Sequence, residues 1–201
     1  MWSTVSIPCS TRRPRASRFA LVAFGAAYPF IVYAGIGHVP PAAFVGLALA
    51  VLAIRAVWLR GEGRDAVVLG ALAAVGLGLL ALLSIDGMVA AKAYPVLMSL
   101  AFAAAFGGSL LFPPTLVERF AAMAGTVATA PARRYMRRVT LVWFFFLLAN
   151  AGVSGWTALA EDPAVWALYN GLLSYLLMGV LMGGELVVRR WVRRRAKGGA
   201  E

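Results

Sequence analysis

The sequence predicts an all-α polytopic membrane protein with six transmembrane helices and both ends in the cytoplasm. Three observations carry that prediction. Of 201 residues, 62% are hydrophobic and only 13% charged, and the mean hydropathy is +0.82. An ordinary soluble domain is about half apolar and about a quarter charged. With so few charges a water-facing surface cannot be assembled, so lipid must cover most of the chain. The second observation is six apolar stretches, each near the ~20 residues a helix needs to cross the hydrocarbon core. The third is that the basic residues fall almost entirely on alternate connections.

The stretches run Phe19–Gly37, Ala42–Leu59, Ala66–Ser84, Met88–Phe112, Val139–Ala160 and Ala164–Val188. They divide the chain into a basic tail over residues 1–18, a membrane domain over 19–188 and a second basic tail over 189–201. Turn chemistry separates them: His38-Val39-Pro40-Pro41, Gly61-Glu62-Gly63-Arg64-Asp65, Ile85-Asp86-Gly87 and Glu161-Asp162-Pro163. Only the connection over 113–138 is long. There Thr115-x-x-Glu118 has the form of a capping box, and Leu116, Phe120 and Met123 follow at helical spacing. A short amphipathic helix is expected, either lying on the cytoplasmic membrane surface or packed under the bundle.

Nineteen Lys and Arg residues give a net charge of +11. Four occupy the N-terminal tail (Arg12, Arg13, Arg15, Arg18) and three surround the second connection (Arg55, Arg60, Arg64). Five lie in the long loop (Arg119, Arg133, Arg134, Arg137, Arg138) and six follow the last span (Arg189, Arg190, Arg193, Arg194, Arg195, Lys197). Only Lys92 falls on the other side, where the connections carry Asp86, Glu161 and Asp162. This is the positive-inside pattern. It assigns the basic excess to topology and anionic headgroups, and argues against nucleic acid as a partner. Thr11-Arg12-Arg13 imitates a twin-arginine export signal, but more spans follow, so the first segment is expected to remain as a helix.

Polar residues inside the spans need a partner or a purpose. Lys92 shares a helix face with Ser99, Ala103 and Gly107, and Pro95 interrupts the backbone bonding beside it. Asp86, six residues earlier, is a candidate counter-ion. Asn150 lies in the fifth span; Asn170 and Ser174 share a face of the sixth, with Glu185 close to it. A candidate polar pocket toward the outer half would therefore contain Lys92, Asp86, Tyr94, Asn150 and Asn170, although Asn and Ser at such positions more often join helices. Glu185 is expected to pair with Arg189 one turn on. Gly179 and Gly183 form a GxxxG that either packs within the chain or makes a homodimer. Arg133, Arg134, Arg137, Arg138, Arg189 and Arg190 form a candidate cytoplasmic basic surface. One weak repeat is visible, Ala27-Tyr28-Pro29 against Ala93-Tyr94-Pro95; inverted repeats of that kind occur in transporters.

The sequence offers no catalytic constellation. Cys9 and His38 are the only cysteine and histidine, so no thiolate cluster, His-based zinc set or Cys-His pair can form. No phosphate loop or metal motif is present, and no cofactor or enzymatic activity is predicted.

The segments KAYPVLMSLAFAAAFGGSLLFPPTLVERFA (Lys92–Ala121), RRYMRRVTLVWFFFLLANAGVSGWTAL (Arg133–Leu159) and WALYNGLLSYLLMGVLMGGELVVRR (Trp166–Arg190) resemble small bacterial inner-membrane proteins encoded among aryl-polyene and xanthomonadin-type pigment genes. The resemblance covers about half the chain well; over the first three spans it is one of hydropathy. It implies a multi-pass inner-membrane accessory role in a polyketide-like, lipid-linked fatty acid pathway, with acyl-carrier protein as a possible partner. Members often carry the label ketosynthase, which one tail Cys and one loop His cannot support. A more distant similarity, to intracellular septation protein A, implies envelope maintenance instead. A small transporter or flippase for a lipid-like product is the rival class.

Overall fold

Each apolar stretch lies on a helix in the computed structural model, which describes residues 15–59, 66–123, 125, 129–160 and 162–198. The fold is all-helical, with no strand among the described residues. The expectations placed on Arg12, Arg13, the Gly61–Asp65 connection and Glu161 lie outside them, as do those on the side chains of Arg15, Arg18 and Arg190.

Helix α1 (Arg15–Gly35) is followed by α2 (Pro41–Leu59) and α3 (Ala66–Leu83). Between α1 and α2 the chain reverses through Gly37, whose φ of +81° is open to glycine at no steric cost. Pro41 begins α2, where a missing amide proton costs nothing. Helix α4 (Gly87–Leu111) starts from Asp86, whose carboxylate accepts from the amides of Met88 (2.7 Å) and Val89 (3.0 Å). Short α5 (Leu116–Met123) leads to α6 (Ala130–Leu159). Then α7 (Pro163–Leu168), capped by Asp162, runs through a π-helical segment (Tyr169–Leu173) into α8 (Ser174–Gly198).

α4 is the central element, packed against α6, α3 and α2, while α1 lies on α7 and the π segment. One core joins α1, α2, α3, α4 and α7 through Tyr28, Val32, Val45, Leu79, Ala91 and Trp166. The Tyr28 hydroxyl donates to the Ala91 carbonyl at 2.9 Å. The outside is equally apolar: Leu77, Trp156 and Val180 are each about two-thirds exposed (68, 69 and 66%). A surface of this kind along helix after helix suits lipid rather than water.

Among the described residues, Gly87–Leu111, Ala130–Leu159 and Pro163–Arg189 are long and apolar enough to cross a membrane; Pro41–Val57 and Val67–Leu83 are apolar but shorter. Several boundaries differ from the sequence reading. α6 begins at Ala130 rather than Val139, so Arg133, Arg134, Arg137 and Arg138 stand on its first turns and not in a loop. α8 continues to Gly198, which makes the start of the basic C-terminal tail helical.

The capping box at α5 does not form. Thr115 is buried with its hydroxyl unpartnered among the described residues, and the Leu116 amide instead donates to Ser109 Oγ of α4 at 2.9 Å. The expected apolar face is also divided. Leu116 enters the interior, whereas Phe120 and Met123 are exposed.

Candidate functional site

Several polar side chains of the membrane helices join one helix to another. Asn150 of α6 donates through Nδ2 to Ser99 Oγ of α4 at 2.9 Å and accepts from the Tyr169 hydroxyl at 3.0 Å. One turn away, Ser154 donates to Asn170 Oδ1 at 2.5 Å, and Asn170 Nδ2 donates to the Trp166 carbonyl (2.9 Å) and to Thr157 Oγ1 (3.3 Å). This ladder ties α4, α6 and the π segment together. Gly107, on the Ser99 face of α4, gives room to Phe144 of α6: a Cβ there would meet the ring at 2.8 Å.

Tyr94 turns the other way, toward α1, with its ring centroid 4.7 Å from that of Tyr28. Asp86 is occupied as the cap of α4. No ion pair joins it to Lys92, which is half-buried with no ion-pair partner among the described residues. The five residues singled out for an outer pocket thus divide between a cap, a core contact, two interhelical bonding sites and one lysine. None of them lines the cavity described next.

A groove of about 710 Å³ lies between α4, α5, α6 and α8. α4 contributes Phe102 and Phe106, and α5 contributes Val117, Phe120 and Ala121. From α6 it is faced by residues between Pro131 and Leu147 that recur at helical spacing, among them Tyr135, Val139 and Trp143. The fourth wall is a single stripe of α8, Met178, Met182, Glu185 and Arg189. Phe106 of α4 and Trp143 of α6 stack with centroids 6.1 Å apart, one turn short of the groove's innermost residues Phe102 and Leu147.

Its polarity is graded. The inner part carries only apolar side chains, and Tyr135, Glu185, Arg189 and Thr129 gather at one end. The Tyr135 hydroxyl, 3.5 Å from the Glu185 carbonyl oxygen, sets α6 and α8 at one level there. The expected Glu185–Arg189 ion pair does not close: both side chains line the groove, and no ion pair links them among the described residues. From Pro131 to Leu147 α6 climbs sixteen residues, or about 24 Å at 1.5 Å each.

The basic residues differ in role. Arg137 Nη1 donates to the Leu110 carbonyl at 3.0 Å, fastening the start of α6 to the end of α4. Arg133, Arg134 and Arg138 are exposed around it, and Arg189 faces the groove. Gly179 and Gly183 meet nothing within 4 Å of where a Cβ would stand among the described residues, so the GxxxG makes no close contact with them. Among the described residues no group of three or more His, Cys, Asp or Glu side chains is placed to hold a metal ion. Comparison with protein-family models, curated proteins and solved structures gives no match.

The sequence reading missed the groove. Its signal was present in the α8 stripe, where two methionines lead at helical spacing to one acidic and one basic residue. Periodicity tells which residues share a face. It does not tell whether the facing helix is in contact or stands apart.

Proposed function

We propose that this chain is a six-span inner-membrane protein, with both ends cytoplasmic, that holds a long-chain amphiphile in the groove between α4, α5, α6 and α8. Its role on this reading is non-enzymatic, as an accessory protein to a lipid-linked pathway. The observation that carries it is the groove's graded polarity. A volume of about 710 Å³ falls within the ~300–1,000 Å³ of small-molecule sites. A compact ligand would leave much of the ~24 Å length unused. Half a bilayer, headgroups included, measures about 20–22 Å, close to that length. A chain lying in the groove with its head at Glu185 and Arg189 would occupy the depth of a lipid in the cytoplasmic leaflet.

The proposed topology follows from the arginines. Arg133, Arg134 and Arg138 are exposed at the same end of the bundle as the groove's polar mouth. They offer a surface to anionic headgroups or to an acidic acyl-carrier protein. The resemblance to pigment-cluster proteins points to an aryl-polyene type of pathway.

Reporter fusions at each connection test the topology, and a periplasmic signal from residues 113–138 would overturn it. Photoreactive lipids added to native membranes test the groove. Labelling should fall on α6 and α8 and disappear in Met182→Trp. The transporter or flippase reading has one observation in its favour, since the tyrosines of the two Ala-Tyr-Pro repeats touch. Faster flipping of a fluorescent phosphatidylethanolamine in vesicles containing the protein would favour it.

A further inference from the structure

We infer that the groove selects a long-chain acid, whose carboxylate is held at Arg189 beside the first turn of α6. The inference rests on the groove being a binding site and adds the chemistry of the head.

Three features at the mouth are positive. Arg189 lines it, and so do Thr129, Pro131 and Ala132, the start of α6. Thr129 is the N-cap of α6, and its side chain makes no cap hydrogen bond. The positive end of the helix dipole, equivalent to roughly half a charge, therefore lies at the mouth without a cap from the Thr129 hydroxyl. Arg133, Arg134 and Arg138 stand exposed on the same first turns.

One feature is negative. Glu185 faces the same mouth, four residues before Arg189 and so about 6 Å deeper. A cationic head drawn to Glu185 would sit under Arg189, with its charge further inside the apolar groove. An acidic head at Arg189 stays at the mouth and keeps its distance from the Glu185 carboxylate. Field and depth both favour the acid. Glu185 and the Tyr135 hydroxyl then face the first polar atoms of the chain, below the head.

Binding of three chain-matched probes tests this: photoactivatable hexadecanoic acid, its methyl ester, and a trimethylammonium of the same chain. The full chain is assayed in nanodiscs of zwitterionic lipid. The acid should bind about tenfold tighter than the ester, the scale of one charge-assisted contact. Arg189→Gln should abolish that preference, whereas with Glu185→Gln the acid should still bind tighter than the ester. Met182→Trp, which fills the groove from a half-exposed position on α8, should block all three probes.

Equal affinity for acid and ester overturns the inference, as does a preference that survives Arg189→Gln. So does tightest binding of the trimethylammonium with sensitivity to Glu185→Gln. In each of these cases the groove remains a binding site. If no probe binds, or if labelling survives Met182→Trp, the groove reading itself fails, and this inference with it.

Discussion

The Tyr28 ring of α1 lies against the Tyr94 ring of α4, centroids 4.7 Å apart and planes tilted by 57°. Each tyrosine precedes a proline inside its helix, Pro29 and Pro95. The only tripeptide repeat noted in the sequence is thus brought into contact with itself at the centre of the core. The pair also fixes the depth of α1 against α4, because the Tyr28 hydroxyl reaches the Ala91 carbonyl one turn above Tyr94.

Removing that hydroxyl should be measurable but modest. Hydrogen bonds between membrane helices average about 0.6 kcal/mol and reach about 1.7, so Tyr28→Phe should cost about 1 kcal/mol. Tyr28→Ala loses the ring contact as well, and should cost about 3–5 kcal/mol, as large-to-small core changes do. Unfolding in a mixed-micelle denaturant series measures both. Equal losses for the two variants would mean that the ring contact contributes nothing.

Asn150 offers a test of coupling. It bridges Ser99 on α4 and Tyr169 on the π segment. Asn150→Ala should destabilise by about 1–2 kcal/mol, the worth of two such bonds. In a double-mutant cycle with Ser99→Ala the coupling energy should be about 0.5–1 kcal/mol. Strict additivity would show that the 2.9 Å contact carries no energy.

Asp86 and Lys92 should behave independently. An ion pair would make Lys92→Met and Asp86→Asn equivalent. The structure instead gives Asp86 to the amides of Met88 and Val89, a task that Asn performs as well as Asp. Asp86→Asn should therefore be nearly silent, whereas Asp86→Ala should cost about 0.5–2 kcal/mol. Thermal stability of the purified variants distinguishes the cases. A large loss in Asp86→Asn would restore the ion pair.

How far the fold could be read from the sequence depended on which physical rule was at work. Apolar length located α1 to α4 within a few residues, because the hydrocarbon thickness fixes it, but not the start of α6 or the end of α8, which continue well beyond the apolar stretches. That Ser99 and Asn150 would each face another helix was legible, since a polar side chain in lipid must find a partner; that they would face one another was not. The π segment was not. Its extra residue per turn has no signature in Tyr169-Asn170-Gly171-Leu172-Leu173, and a continuous helix was expected there. At Thr115 the local motif was right and its use was wrong. The Thr115 hydroxyl, which a capping box would aim at the Glu118 amide, is buried without a partner among the described residues, while Ser109 of α4 holds the neighbouring Leu116 amide. The groove depends on helix separation, which no single-helix pattern encodes.

The glycines of the last helix make the sharpest contrast. At Gly171, in the π segment, an added Cβ would collide with the Phe30 ring of α1. Gly171→Ala should therefore force α1 away from the π segment, at a cost of about 1–3 kcal/mol as in other overpacked cores. At Gly179 and Gly183 a Cβ would meet nothing within 4 Å among the described residues, and their helix is mostly uncovered by them, with 11% of its most apolar window buried. Leucine at either position should leave monomer stability within about 0.5 kcal/mol of wild type, the usual range for a surface change. If a second copy packs on this face through its GxxxG, the same leucines should abolish cysteine crosslinking between α8 helices in membranes. Crosslinking that persists in the double leucine variant would place the contact elsewhere on α8. A monomer destabilised by Gly179→Leu would mean that the face is covered from within the chain.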